Sequence, residues 1–259
     1  MPAPRGARSV ASSDTGRVRE NNQDAVFTDD SVGLWLVADG MGGHAGGARA
    51  SEIACRIIRD RHAADRNLRD AVLDAHLAIR SEQERCPEYG DMGTTIVAVT
   101  EQETDFEVCW VGDSRAYRFS TATGLLERLT RDHNVAGMLV AAGALSPDEA
   151  SRHPQRHVLT DCLGITGDHE PRIGTLKDRW RAGDWLLLCS DGLTGELSDE
   201  EIARILKESD DLGSAQASLV EQTLDAGAHD NVSVVLVEGP PMAASPKRTS
   251  TRWPWPFGR

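Results

Sequence analysis

No run of about 18 apolar residues occurs in the chain, so no segment reads as a membrane-spanning helix. The N-terminal stretch MPAPRGARSVASSDTG also lacks the apolar core of a signal peptide, which points away from export. Cysteine is scarce. Cys55, Cys86, Cys109, Cys162 and Cys189 are odd in number and no two form a CxxC pair. That pattern excludes a disulfide framework and a cysteine zinc site, and it fits a reducing cytoplasm. Cys109 and Cys189 lie in apolar runs and read as small core residues. Positive charge is in deficit, with a formal net charge of −13. A surface this acidic repels nucleic acid, which excludes that class of partner. Acidic residues stop after Glu238, whereas Lys247, Arg248, Arg252 and Arg259 are basic, so the body is more acidic than the whole. No internal repeat divides the chain.

What is present is an alternation of strand-like and helix-like segments over the first 238 residues. LWLVAD (34–39) is an apolar run that ends at an aspartate. Ala50, Ile53, Ala54, Ile57 and Ile58 form a helical stripe, and Leu68, Val72, Ala75 and Ile79 form a second. TTIVAVT (94–100), FEVCWV (106–111), RAYRF (115–119) and LLERL (125–129) read as consecutive strands of a β-meander, with GDSR (112–115) as a tight turn. Residues 132–157 break the pattern as a partly helical, His-rich excursion whose histidines, His133, His153 and His157, read as solvated. DWLLLCSD (184–191) is again a strand ending at an aspartate. Ser198 and Glu201 form a capping box before EIARILKES, Gly227 stops the following helix, and NVSVVLVE (231–238) is the last strand. Residues 239–259, rich in Pro, Ser and Arg with Trp253, Trp255 and Phe257, read as a flexible tail. The strands outnumber the needs of a doubly wound sheet. The expected fold is therefore α+β: two sheets in a sandwich with helices outside, in one domain over residues 1–238.

Three aspartates share a setting at an apolar strand end beside a small or polar residue: Asp39-Gly40, Asp191-Gly192 and Asp230-Asn231. Taken singly, such pairs are ordinary turns. Gathered at a sheet edge, their carboxylates repel one another unless a cation neutralises them. Hard divalent cations such as Mg²⁺ and Mn²⁺ take oxygen ligands of this kind.

The words NNQD (21–24), VADGMGGHAGG (37–47), GTT (93–95), GDSR (112–115), CSDGL (189–193) and HDNVSVV (229–235) occur in this order. Together they resemble the bacterial branch of the metal-dependent PPM, or PP2C-type, serine/threonine phosphatases, over residues 8 to about 238. The resemblance implies a central β-sandwich of two antiparallel sheets flanked by pairs of α-helices. It implies two catalytic Mn²⁺ or Mg²⁺ ions bridged by Asp39, with the Gly40 carbonyl on one ion and Asp191 and Asp230 on the other. Asp24 would hold metal-bound water, and Arg19 would grip the substrate phosphate. Asp113 would bind a third, weaker ion that shares Asp191. His44 can protonate the leaving alkoxide or orient the helix that follows it. Two ions about 4 Å apart lower the pKa of a shared water, and the resulting hydroxide attacks phosphorus in line. No cysteine nucleophile is needed. Residues 132–157 would be the family's flap beside the site. Gln23 departs from the Glu that other members often carry, which would weaken the hold on metal. A pseudophosphatase would lack one or more of the aspartates, and all five are here. The expected partners are phosphorylated proteins and a cognate serine/threonine kinase, and the expected state is a cytoplasmic monomer.

Overall fold

Apolar runs without strict alternation need cover on both faces, and the strands obtain it. The computed structural model describes residues 6–42, 45–165 and 170–241. His44 and the tail residues Trp253, Trp255 and Phe257 lie outside the described residues. In chain order the strands are β1 (Arg8–Asp14), β2 (Asp24–Asp29), β3 (Leu34–Gly42), β4 (Met92–Thr94), β5 (Ile96–Gln102), β6 (Asp105–Val111), β7 (Arg115–Ser120), β8 (Leu125–Arg128), β9 (Gly174–Arg179), β10 (Asp184–Cys189) and β11 (Val232–Glu238). The helices are α1 (Gly46–His62), α2 (Leu68–Arg85), α3 (Val135–Ala141), α4 (Pro147–Ser151), α5 (Asp191–Thr194), α6 (Asp199–Glu208) and α7 (Leu212–Ala226).

One sheet has the order β1-β11-β10-β7-β8 and the other β2-β3-β5-β6-β9, with β4 added to β3. Every pairing is antiparallel. Successive residues of a strand point to opposite faces, so each central strand feeds two cores. In β3, Trp35 and Val37 join the core between the sheets, while Leu34, Leu36 and Ala38 pack toward α1 and α2. In β10, Leu186 and Leu188 face the other sheet, while Trp185, Leu187 and Cys189 face α6 and α7. Cys109 is likewise fully buried, as its apolar surroundings suggest.

The strands from β5 to β8 do not form the expected meander. β6 pairs with β5 and β9, whereas β7 pairs with β10 and β8 in the other sheet. The reason lies in the cores. β6 sends Cys109 and Val111 to the layer with α1 and α2, and β7 sends Tyr117 and Phe119 to the layer with α6 and α7. Those layers cover opposite outer faces, so the two strands cannot be a hairpin. The segment around Gly112, whose φ is +101°, carries the chain from sheet to sheet and leaves Asp113 at the sandwich edge.

The excursion folds as α3 and α4, each capped at its start by a side chain: Asn134 accepts from Gly137 N at 2.8 Å, and Ser146 and Glu149 form a capping box. Its stem is closed by backbone bonds from Val135 N to Val158 O at 2.9 Å and from Thr160 N to His133 O at 2.8 Å. The capping box at Ser198 and Glu201 forms as expected, and Gly227 ends α7 with φ +130°. Among the described residues, no helix is long and apolar enough to cross a membrane.

Candidate functional site

β2 and β3 place Asp24 directly opposite Asp39. Like charges so placed destabilise a strand pair. The backbone of Asp39 is held on both sides: its N–H donates to Thr95 Oγ1 at 3.1 Å, and its carbonyl accepts from Thr95 N at 2.8 Å and Thr94 Oγ1 at 2.9 Å. Thr95 Oγ1 in turn lies 2.7 Å from Ser114 Oγ, which ties this strand to the GDSR segment. Burial, followed by repulsion from Asp24, Asp191, Asp113 and Asp230, holds the Asp39 carboxyl well above the usual carboxylate range.

Asp24 is anchored by one oxygen only. Its Oδ2 accepts from Ser190 Oγ at 2.8 Å, whereas Oδ1 is buried without a partner. Burial pushes its pKa up to about 7; hydrogen bonds from Ser233 and Ser190 oppose the shift, and the charges of Asp191 and Asp230 add to it. Asp113 is 7% exposed. Its pKa also stands well above the ordinary value through burial and the charges of Asp191 and Asp132, with Asn134 and Arg115 opposing.

Asp191 opens α5 just after Ser190. It sits 3.7 Å (Oδ2) from Nδ1 of His157, at the end of the excursion. His157 thus borders the site, and with its side chain 52% exposed it is solvated, as expected. His133 is half-buried against Trp110, with ring centroids 6.2 Å apart, and burial lowers its pKa. Asp230 accepts from Arg19 Nη2 at 2.7 Å through Oδ2 and from Asn231 N at 2.8 Å through Oδ1. Arg19 thus clasps a carboxylate of the cluster, and Asp230 raises its pKa through that bond.

Neither Asp-Gly pair is a turn. Asp39-Gly40 lies inside β3, and Asp191-Gly192 begins a helix. The glycines answer to close approach. A Cβ at Gly40 would collide with the backbone of Gly47 and Gln23, and one at Gly192 would collide with the Asn231 carbonyl. The backbone of Gln23 is fixed by Asn231 Oδ1 at 2.8 Å, and its amide approaches Gly42 O at 3.4 Å.

The structure thus brings Arg19, Asp24, Asp39, Asp113, Asp191 and Asp230 to one edge of the sandwich, with Gly40 beside Asp39. Reasoning from sequence leaves four contributors without a role. Ser190 holds Asp24, Thr94 and Thr95 hold Asp39, and Asn231 donates to Thr15 O at 2.9 Å and Asn21 O at 3.0 Å. All four sit inside the motif words, yet their partners lie far away in the chain. A cavity of about 920 Å³ opens from Asp113 and Asp191 beneath α3 and α4.

The fit to a metal rests on the donors. The orphaned Asp24 oxygen, the Asp24–Asp39 cross-strand pair and the mutual repulsion of five carboxylates all call for added positive charge. Among the described residues, no three His, Cys, Asp or Glu side chains stand close enough together to hold one ion by themselves, so waters would have to complete the shell. Mg²⁺-type sites keep several waters and use few carboxylates, so an open oxygen set of this kind suits a hard divalent cation.

A family model described as protein phosphatase 2C matches residues 15–226. A serine/threonine phosphatase stp of Listeria monocytogenes is 33% identical over 238 residues, covering 87% of this chain and 93% of that protein. The serine/threonine protein phosphatase PstP of Mycobacterium tuberculosis is 37% identical over 237 residues, covering 89% of this chain and 45% of that longer protein. The crystal structure of the M. tuberculosis serine/threonine phosphatase PstP/Ppp superimposes with a TM-score of 0.81 at 34% identity, covering 90% of this chain and 98% of that one. A PstP catalytic domain solved in complex with two manganese ions gives a TM-score of 0.78 at 33% identity, covering 90% and 98%. The chain belongs to the protein phosphatase 2C family of serine/threonine phosphatases.

Proposed function

We propose that the aspartate-lined edge is the catalytic centre at which this phosphatase hydrolyses phosphoserine and phosphothreonine in partner proteins. Asp39, the Gly40 carbonyl, Asp191 and Asp230 are the residues that would hold two Mn²⁺ or Mg²⁺ ions, and Asp113 with Asp191 would hold a third. When bound, such ions lower the pKa of coordinated water and neutralise phosphate charge. The observation that carries this reading is the Asp24–Asp39 pair with its orphaned oxygen, a like-charge contact that costs stability unless a cation completes it.

The chain's own groups have separable tasks. Ser190 and the orphaned Oδ1 leave Asp24 one oxygen free to accept a proton or a water hydrogen. Thr94 and Thr95 fix the direction of the Asp39 side chain. Arg19, 55% exposed in its side chain, is tethered to Asp230 and can swing its planar fork onto phosphate oxygens. His44 is kept as a proton donor or a helix-orienting residue. The catalytic domain would span residues 1–238 and close with β11, with residues 239–259 as a tail. A cytoplasmic monomer that reverses a serine/threonine kinase agrees with the acidic composition and the unpaired cysteines. The test is release of phosphate from a phosphothreonine peptide with Mn²⁺. It should be lost with EDTA and in Asp39→Asn. Turnover in the presence of EDTA would defeat the proposal.

A further inference from the structure

The cavity beneath α3 and α4 lies near the top of the range of roughly 300–1,000 Å³ found for ligand pockets. Only its Asp113–Asp191 end borders the carboxylate cluster, so the remainder is open to the peptide around a phosphorylated side chain. Five arginines line the wall. Three are occupied by protein oxygens. Arg115 forks onto Asp132 through Nε at 3.1 Å and Nη2 at 2.8 Å, and Arg128 reaches Asp132 at 3.4 Å. Arg172 grips Asp161 at 2.9 and 2.7 Å.

The other two, Arg131 and Arg156, have no side-chain hydrogen bond or ion pair among the described residues. The chain has 41 carboxylates against 28 Lys and Arg residues, so an unpaired guanidinium in a concave wall is against the odds. Both positions are built rather than loose. The Arg131 carbonyl accepts from Trp110 Nε1 at 2.8 Å, and Arg156 N donates to His153 O at 3.1 Å. Arg156 also directly precedes His157, which faces Asp191. The cavity's unpaired carboxylates away from the site, Asp148 and Glu200, lie in the first turns of α4 and α6, where the helix start favours negative charge.

Resting on the phosphatase reading above, we propose that Arg131 and Arg156 form a subsite for aspartate and glutamate side chains flanking the phosphorylated residue. The favoured substrates are then phosphoproteins with acidic sequence around the phosphosite. A guanidinium fork takes a carboxylate through two parallel hydrogen bonds; Arg156 is half-buried and Arg131 exposed, so the pairing is that of partly solvated ions.

The experiment compares phosphothreonine peptides flanked by Glu, Ala or Lys, with para-nitrophenyl phosphate as a substrate that cannot reach the subsite. Wild-type protein should favour the Glu peptide over the Ala peptide by about fivefold to tenfold in kcat/KM, as expected for two partly exposed ion pairs. The preference should fall with added salt. Arg131→Ala with Arg156→Ala should erase it through KM while aryl phosphate hydrolysis stays within about twofold, since uniform binding is what is lost. Arg156→Glu should turn the preference toward the Lys peptide. Equal kcat/KM for the Glu and Ala peptides in wild type would overturn the proposal, as would a preference that survives the double substitution. A gain from a second phosphate with none from carboxylates would also overturn it. Absence of aryl phosphate hydrolysis would instead count against the phosphatase reading itself.

Discussion

At the residue scale, the site is a set of electrostatically coupled carboxylates held by groups that fix their backbones or single oxygens. Asp39 shows the consequence most clearly. Its carboxyl is destabilised by burial and by four other aspartates. Asp39→Asn should abolish metal-dependent turnover and, in the absence of metal, raise the melting temperature. Relief of about 1 kcal/mol corresponds to roughly 2–4 °C for a domain of this size. Calorimetry in EDTA checks this, and a fall in melting temperature would contradict the repulsion argument. Asp24 makes the matching prediction in pH. Its folded pKa of about 7 exceeds the ordinary value of 3.8, so the folded state holds the proton more tightly than the unfolded chain. Stability from this group is present below about pH 4 and is lost as pH rises through about 7. In metal-free protein, the melting temperature of wild type minus that of Asp24→Asn should fall from pH 4 to pH 7 and then level off. A flat difference would contradict the assigned environment. Legibility at this scale was uneven. The aspartates announce themselves as charged ends of apolar runs, but Ser190 and Asn231 do not. Their partners, Asp24 and Thr15, lie more than 160 residues away, and no local pattern encodes such pairs.

At the scale of elements, β11 and the loop before β2 are stitched together by one side chain. Asn231 donates to Thr15 and Asn21 carbonyls and accepts from Gln23 N, so it orders the loop that carries Arg19. Asn231→Ala should cost about 1–3 kcal/mol, on the basis of three hydrogen bonds whose partners are half-buried or exposed and can turn partly to water. Hydrogen exchange should quicken in residues 15–23 ahead of the rest of the fold. Uniform quickening would place the effect elsewhere. The helices α1, α2 and α6 were legible because their apolar stripes recur every three or four residues and their ends carry caps. β1, β2 and β9 were not. β1 and β2 are edge strands rich in polar residues, and β9 alternates half-buried with exposed positions, so none carries a long apolar run. The meander misreading has a related cause. Strand order along the chain cannot reveal that Tyr117 and Cys109 serve cores on opposite sides of the sandwich.

At the scale of the whole molecule, the sandwich is complete at β11, and Gly239 N still donates to Asp184 O at 3.1 Å. Removal of residues 242–259 should therefore leave both the melting temperature and aryl phosphate turnover unchanged within error. A marked loss of either would show that the basic, tryptophan-bearing end is part of the working domain. The two sheets bring four separate strands and one inter-sheet crossing to a single edge: β2 and β3 supply Asp24 and Asp39, β10 leads into Asp191, Asp230 leads into β11, and the crossing supplies Asp113. The central claim is that this edge is a metal-dependent phosphatase centre. Titration of metal-free protein with Mn²⁺ in a calorimeter, paired with phosphate release from a phosphothreonine peptide in the same samples, tests it most directly. At least two ions should bind per chain, turnover should rise with their occupancy, and both should be lost in Asp39→Asn. Phosphate release without bound Mn²⁺, or full binding and turnover in Asp39→Asn, would contradict it.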